Sequence, residues 1–298
     1  MMRVSFWRAI RWRILFCAAL CMGVFLYWVL PWVALDMFYH PGPVRNFRTP
    51  QDLGLAFEDV FFSSDDGTQL HGWYMPAVGE SRGAVLHVHG NAGTINDHLT
   101  EVDWLPREHY SVFMFDYRRY GQSGEGAISP KTLMEDTVSA LIWLRQREGD
   151  GSARIFGLGQ SLGGNNLVAA LAHGQEKGLW KAGGVTGVVL DATFDSYSAV
   201  ASDTIPGAGW LLNDSYSANR FIQRLAPTPF MIVHGDRDAA IPWQHSQRLF
   251  DLALPPKQIY IVPGAGHLGA LKGDGMREKV LQFFAGCLNF SESGASVK

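Results

Sequence analysis

Gly159-Gln160-Ser161-Leu162-Gly163 sets a serine two residues from a glycine on each side, behind the apolar run Ala153–Gly159 and ahead of a helical pattern. A strand-to-helix turn of G-x-S-x-G type is so sharp that side chains at the flanking positions would strike neighbouring backbone. It holds the serine hydroxyl above the carboxyl ends of the strands. Serine is a weak nucleophile, so it needs a base, and the base needs a third group to orient it. Behind such a turn the expected chain order is serine, acid, histidine. His234-Gly235-Asp236-Arg237-Asp238 and Gly264-Ala265-Gly266-His267 each end a late apolar run and supply the candidates. Asp238 is the better acid, because Asp238-x-x-Ile241-Pro242 leads directly into the next helix, and Asp236 is expected to brace the loop. Ser123, in Tyr120-Gly121-Gln122-Ser123-Gly124-Glu125, is a decoy: it lacks the second glycine and no helix begins directly behind it.

Acyl chemistry at Ser161 would also need backbone donors for a developing oxyanion. Leu162 offers one N–H at the helix start. The second is expected from His89-Gly90-Asn91-Ala92-Gly93, where small residues let the backbone approach a substrate oxygen; Asn91 is favoured and Ala92 stands close behind.

These residues need a scaffold that brings several loops to one edge. Candidate strands are Phe57–Ser63, Leu70–Pro76, Gly83–His89, Ser111–Tyr117, Ala153–Gly159, Val185–Asp191, Phe230–Gly235 and Gln258–Pro263. Asp65-Asp66-Gly67 is a hairpin turn signal between the first two. The later runs are almost wholly apolar, as strands are when helices cover both faces of a parallel sheet. Helical patterns near 94–107, 131–147, 162–177, 243–253 and 275–289 alternate with them, which predicts an α/β sheet with right-handed crossovers. Residues 195–226 break the rhythm and read as a lid insertion, with Ile205, Trp210, Leu211, Leu212 and Phe221 available to wall an apolar pocket.

Ile14 to Leu35 is 22 residues without a charge, roughly 33 Å as a helix against a hydrocarbon core of about 30 Å. A cleavable signal peptide has a shorter apolar core and a small-x-small site, so an uncleaved signal anchor is the better reading. Arg3, Arg8, Arg11 and Arg13 precede the span. That bias predicts a cytoplasmic N-terminus and a catalytic domain on the exported face, the periplasmic side of the inner membrane in a bacterium. The expected division is a basic segment 1–13, a transmembrane anchor 14–37, a linker 38–55, a folded domain 56–290 and a disordered tail 291–298. Beyond residue 13 there are 21 basic against 28 acidic side chains, a poor match for nucleic acid. Hydrophobic residues at 47% and charged ones at 18% exclude a disordered chain. Cys17 and Cys21 fall inside the anchor and only Cys287 lies beyond it, so neither a disulfide framework nor a structural zinc site is expected.

Together these pieces resemble the α/β-hydrolase superfamily, and within it the serine aminopeptidase-like branch, which has membrane-anchored members. The resemblance rests on His89-Gly90-Asn91-Ala92-Gly93, Asp116-Tyr117-Arg118-Arg119-Tyr120-Gly121-Gln122-Ser123-Gly124, Gly157-x-Gly159-Gln160-Ser161-Leu162-Gly163-Gly164, His234-Gly235-Asp236-Arg237-Asp238 and Gly264-Ala265-Gly266-His267, in the right order over about residues 56–290. Arg119 departs from it, standing where the branch commonly has glycine. The resemblance implies a mostly parallel eight-stranded sheet and a serine hydrolase with no metal or organic cofactor. It leaves the substrate open, since the fold hosts esterases, thioesterases, lipases and peptidases. The expected activity is cleavage of an acyl ester or thioester through an acyl-Ser161 intermediate. The expected partners are a small-molecule acyl substrate, lipids included, and the bilayer through 14–37. A serine peptidase of the same fold and a catalytically silent membrane-tethered binding protein are the alternatives.

Overall fold

The computed structural model describes residues 2–42, 48–149, 154–181 and 184–295. One helix, α1 (Met2–Phe38), runs through the basic segment and the apolar stretch, and Pro31 does not end it. It leads into β1 (His40–Pro41), β2 (Glu58–Ser63), β3 (Gln69–Met75), β4 (Gly83–Val88), β5 (Ala92–Gly93), α2 (Ile95–His98) and β6 (Tyr110–Asp116). There follow α3 (Pro130–Glu148), β7 (Ile155–Gln160), α4 (Leu162–Glu176), β8 (Gly187–Asp191), α5 (Tyr197–Thr204), β9 (Phe230–Gly235), α6 (Gln244–Leu252), β10 (Lys257–Val262) and α7 (Asp274–Ala295).

Eight strands form one sheet in the order β10-β9-β8-β7-β4-β6-β3-β2. β2 and β3 join antiparallel as the hairpin around Gly67 requires, β3 also lies antiparallel to β6, and the remaining pairings of the sheet, through β4, β7, β8, β9 and β10, are parallel. The strands are apolar throughout because both faces are covered. Leu86, Val88, Phe113, Phe115, Leu190 and Ile232 meet α3 and α4 through Leu141, Leu167 and Leu171. The alternate residues Val85, Val112, Met114, Leu158, Val189 and Met231 meet Ile95, Leu99 and, from α7, Val280 and Phe284. Burial of both residue sets is the main favourable term of the fold. It fixes strand register, since a one-residue slip would exchange the two faces.

Three expectations change. The helical pattern at 94–107 is only the short α2 followed by 3₁₀ turns at Leu99–Glu101 and Leu105–Glu108. Pro106 lacks a backbone donor and its ring crowds the preceding turn, so a continuous helix is blocked there. The tail does not separate at 291. The register of α7 that buries Phe284, Cys287 and Leu288 carries the helix on to Ala295, and 296–298 lie outside the described residues. The segment 38–55 is not a free linker either. Phe38 packs edge-on against Tyr39, Phe194 and Tyr197, Tyr39 is buried, and β1 pairs parallel with β5. Residues 43–47 of that segment, and residue 153 of the run expected to form β7, lie outside the described residues.

Arg119 adopts φ 67°, the left-handed region that favours glycine. Its departure from the family pattern is therefore a local strain within the turn that follows β6. Arg119→Gly should leave stability unchanged or raise it by up to about 1 kcal/mol, while Arg119→Val should cost about 1–2 kcal/mol. Urea unfolding of the three chains measures the order. A valine variant as stable as the wild type would contradict it.

Candidate active site

Ser161 sits between β7 and α4 at φ 54°, ψ −119°, a strained conformation held by its surroundings. Close backbone approach explains the flanking glycines. A Cβ on Gly159 would lie 2.5 Å from Gly164 Cα, and one on Gly163 would lie 1.9 Å from the Val88 carbonyl oxygen. The Ser161 N–H donates to the Asp191 carbonyl at 2.8 Å, tying the turn to β8. Beneath it Gln160 bridges His87 Nε2 (2.8 Å) and Asp191 (3.1 Å), all buried. Burial pushes His87 down to about 3, so its imidazole stays neutral at neutral pH, and pushes Asp191 up to about 6; the network props the turn.

The loops after β9 and β10 meet over the same edge. Asp238 Oδ2 lies 2.7 Å from His267 Nδ1, which leaves the His267 Nε2 available to a proton. Asp238 Oδ1 accepts from the N–H groups of Ala240 (2.8 Å) and Ile241 (2.9 Å). His234 Nε2 approaches Oδ2 at 3.1 Å and the Ile241 carbonyl at 2.9 Å. Burial opposes ionisation of Asp238, but the hydrogen bonds from His234, His267 and Ile241 outweigh it and hold the carboxyl well below the usual carboxylate range. Asp236 instead accepts from the Gly264 N–H at 2.6 Å and ties the two loops together. His234 escaped the sequence reading as a functional residue, although its place four residues before Asp238 was visible.

Ser161 and His267 border one cavity of about 880 Å³. Gly90, Asn91, Ala92 and Leu162 border it too, so both stretches expected to supply oxyanion donors meet beside the serine. Asn91 is held from two sides. Its Nδ2 donates to the Phe38 carbonyl, and the Tyr120 hydroxyl donates to its backbone carbonyl at 2.8 Å. The segment 195–226, expected to be a lid, contributes Ile205, Leu211 and Leu212 to the cavity wall. Two of its expected residues do not line the cavity. Trp210 is 67% exposed, and Phe221 packs on the core instead. The segment 195–226 is tied down on the sheet side: buried Asn165 of α4 donates to the Tyr216 carbonyl at 3.0 Å and accepts from Ala218 N–H at 2.8 Å. Leu30, Val33 and Phe38 of α1 also line the cavity, and no sequence signal pointed to them. Among the described residues no cluster of three or more His, Cys, Asp or Glu side chains could hold a metal ion.

A mostly parallel eight-stranded sheet that carries a serine at the β7–α4 turn, with an Asp–His pair on the loops of later strands, defines an α/β-hydrolase. The sequence pattern of the prolyl oligopeptidase family matches residues 104–291, and the chain belongs to that family. It is 42% identical to the Salmonella typhi protein YfhR over 267 residues, covering 87% of this chain and 88% of YfhR. With the Escherichia coli K12 YfhR it shares 38% over 283 residues, 93% and 94% of the two chains. Among solved structures, the Pyrococcus furiosus esterase Pf2001 superposes with a TM-score of 0.68 at 18% identity, covering 85% of this chain and 97% of that one.

The two acids should separate cleanly. Asp238→Asn should lower kcat/KM on an acyl ester on the order of 10⁴-fold, and Asp236→Asn less than tenfold. The reverse order would reassign the acid. Because the folded carboxyl of Asp238 is depressed, the stability it contributes is present above about pH 4 and is lost as pH falls further. The gap in urea midpoint between wild type and Asp238→Asn should therefore narrow below about pH 4.

Proposed function

We propose that this protein is a membrane-anchored serine hydrolase that cleaves an acyl ester or thioester through an acyl-Ser161 intermediate. The observation that carries the reading is the convergence of Ser161 and His267 on one cavity, with His267 Nδ1 held 2.7 Å from buried Asp238. His267 takes the Ser161 proton as the oxygen attacks the acyl carbonyl carbon. The bond to the alcohol or thiol then breaks, and His267 returns the proton to the leaving group. Water, activated by the same imidazole, hydrolyses the acyl-enzyme and releases the acid. Asp238 stabilises the imidazolium that forms in both halves. The amides of Leu162 and Asn91 supply the oxyanion donors. Ala92 is the weaker candidate, because its residue pairs with His40 in the β1–β5 ladder.

The similarity to Pf2001, itself an esterase by name, and the apolar wall of Ile205, Leu211 and Leu212 favour an acyl substrate. A peptidase reading draws on the family match and on Asp203, a carboxylate on the cavity wall that could meet a peptide amine. Asp203 is already bound to His245 Nε2 at 2.7 Å, which weakens that reading. Ser161→Ala should abolish labelling by a fluorophosphonate and hydrolysis of p-nitrophenyl acetate, and His267→Ala should do nearly the same. Faster turnover of aminoacyl amides than of acyl esters would favour the peptidase.

The anchor reading rests on Ile10–Leu30 of α1, 21 residues of mean hydropathy 2.1 with none of the stretch buried in the protein. Arg3 and Arg8 before it, and Arg11 and Arg13 in its first turn, support a hydrolase domain on the exported face. Protease added outside spheroplasts should degrade the domain. Degradation only after lysis would reverse the orientation.

A further inference from the structure

The cavity beside Ser161 is closed on one side by the anchor helix itself. Leu30, Val33 and Phe38 line it together with Ile205, Ala208 and Leu211. Leu30 is the last residue of the apolar stretch Ile10–Leu30, so one wall of the cavity continues along an unbroken helix into the span. The turn Ala208–Leu211 lies against α1. On and beside that turn, Trp210 is 67% and Ile205 62% exposed. Large apolar side chains left outside, next to a span, mark a face that meets lipid rather than water. The cavity lining also carries polar side chains, among them His40, His98 and Asp203.

We propose that the substrate is a single-acyl-chain amphiphile drawn from the bilayer, its chain lying between α1 and residues 205–212 while its ester reaches Ser161. This rests on reading Ser161 as the nucleophile and α1 as the span. A cavity of about 880 Å³ is within the range for one small-molecule ligand. Its lining combines the apolar side chains of the membrane helix with a few polar groups, as an amphiphile requires. A water-soluble ester would need no wall that runs on into a membrane. The hydrogen bond from Asn91 to the Phe38 carbonyl fixes the helix end beside the serine, so the wall keeps its place relative to the reacting carbonyl.

The test uses the full chain in vesicles of a dialkyl ether phosphatidylcholine, which offers no ester of its own, with 1-oleoyl-lysophosphatidylcholine or monooleoylglycerol added. Release of fatty acid should follow the mole fraction of the amphiphile in the bilayer, not its bulk concentration. Across a series of acyl lengths, kcat/KM should rise by up to ~4-fold per buried methylene until the pocket is filled. Val33 is exposed, so Val33→Trp intrudes on the cavity without touching the core. It should lower the ratio of long-chain to acetyl-ester kcat/KM at least tenfold. Leu20→Trp, on the same helix but away from the cavity, should leave that ratio as in the wild type. A rate that follows bulk concentration, or a ratio indifferent to Val33→Trp, overturns the proposal while leaving the hydrolase intact. Absence of fluorophosphonate labelling together with no cleavage of any ester, acetyl included, would instead remove the hydrolase reading on which it stands.

Discussion

The structure turns on the close crossing of α4 over β4 and β7. With no side chain at Gly163 to keep them apart, the helix start sits almost against the Val88 carbonyl, and Gly159 and Gly164 touch in the same way. That contact forces Ser161 into its strained turn, places the Leu162 N–H at the helix start and brings the loop after β4 beside the serine. The strain is local and modest, of order 1–3 kcal/mol. The two-sided burial of the parallel strands is what offsets it. A looser crossing would allow an ordinary side chain at 163 and would let the serine relax away from the cavity.

The same edge of the sheet explains why α1 is more than an apolar appendage. The last carbonyls of a helix have no partner within it. At the end of α1 the Phe38 carbonyl is capped by Asn91, a residue of the loop that faces Ser161. The next residues pair with that loop as a short parallel ladder, and Gly42 accepts from the Gly121 N–H. Tyr120 holds Asn91 from the opposite side. Removing the first 40 residues would therefore uncap the loop as well as open the cavity, and a truncated domain is a different catalyst from the whole chain.

Much of this was legible in the sequence for physical reasons. The eight strands stand out because burial on both faces makes them continuously apolar, and the elbow stands out because only glycine fits at 159 and 163. Asp238 and Asp236 were separable because the helix that follows constrains the loop: the Ala240 and Ile241 amides converge on Asp238, whereas Asp236 reaches Gly264. Other features depend on contacts between distant segments and leave no local pattern. Phe38 and Tyr39 read as the end of a span, and nothing nearby announces their packing on Phe194 and Tyr197. Trp210 fits a pocket wall by composition, but the tight turn Ala208–Leu211 sends Leu211 inward and leaves the indole outside.

The chain has ten histidines, and environment decides which can work as a base. A general base needs one nitrogen held and the other free at the reacting proton. Burial pushes His87 to about 3, and burial beside His98 and His87 pushes His89 well below its ordinary value, so neither takes a proton near neutrality. Burial also disfavours the charged form of His71, yet the hydrogen bond to Asp59 and the nearby Asp116 carboxylate prevail and raise it, so it is protonated more readily and fixed beside Asp59. His234 spends Nδ1 on Ser246 and Nε2 on the Ile241 carbonyl and Asp238. His245 spends its two nitrogens on Asp195 and Asp203. His40 and His98 border the cavity, but neither has a carboxylate in hydrogen-bond contact among the described residues, and His98 is committed to the Ala92 carbonyl. His267 combines a buried acid on Nδ1, partial exposure and a place on the cavity wall with Ser161. Its fitness for that role is thus a consequence of where the last two strands end: among the described residues, only there does a loop bring an imidazole to the cavity with one nitrogen already held by a buried acid.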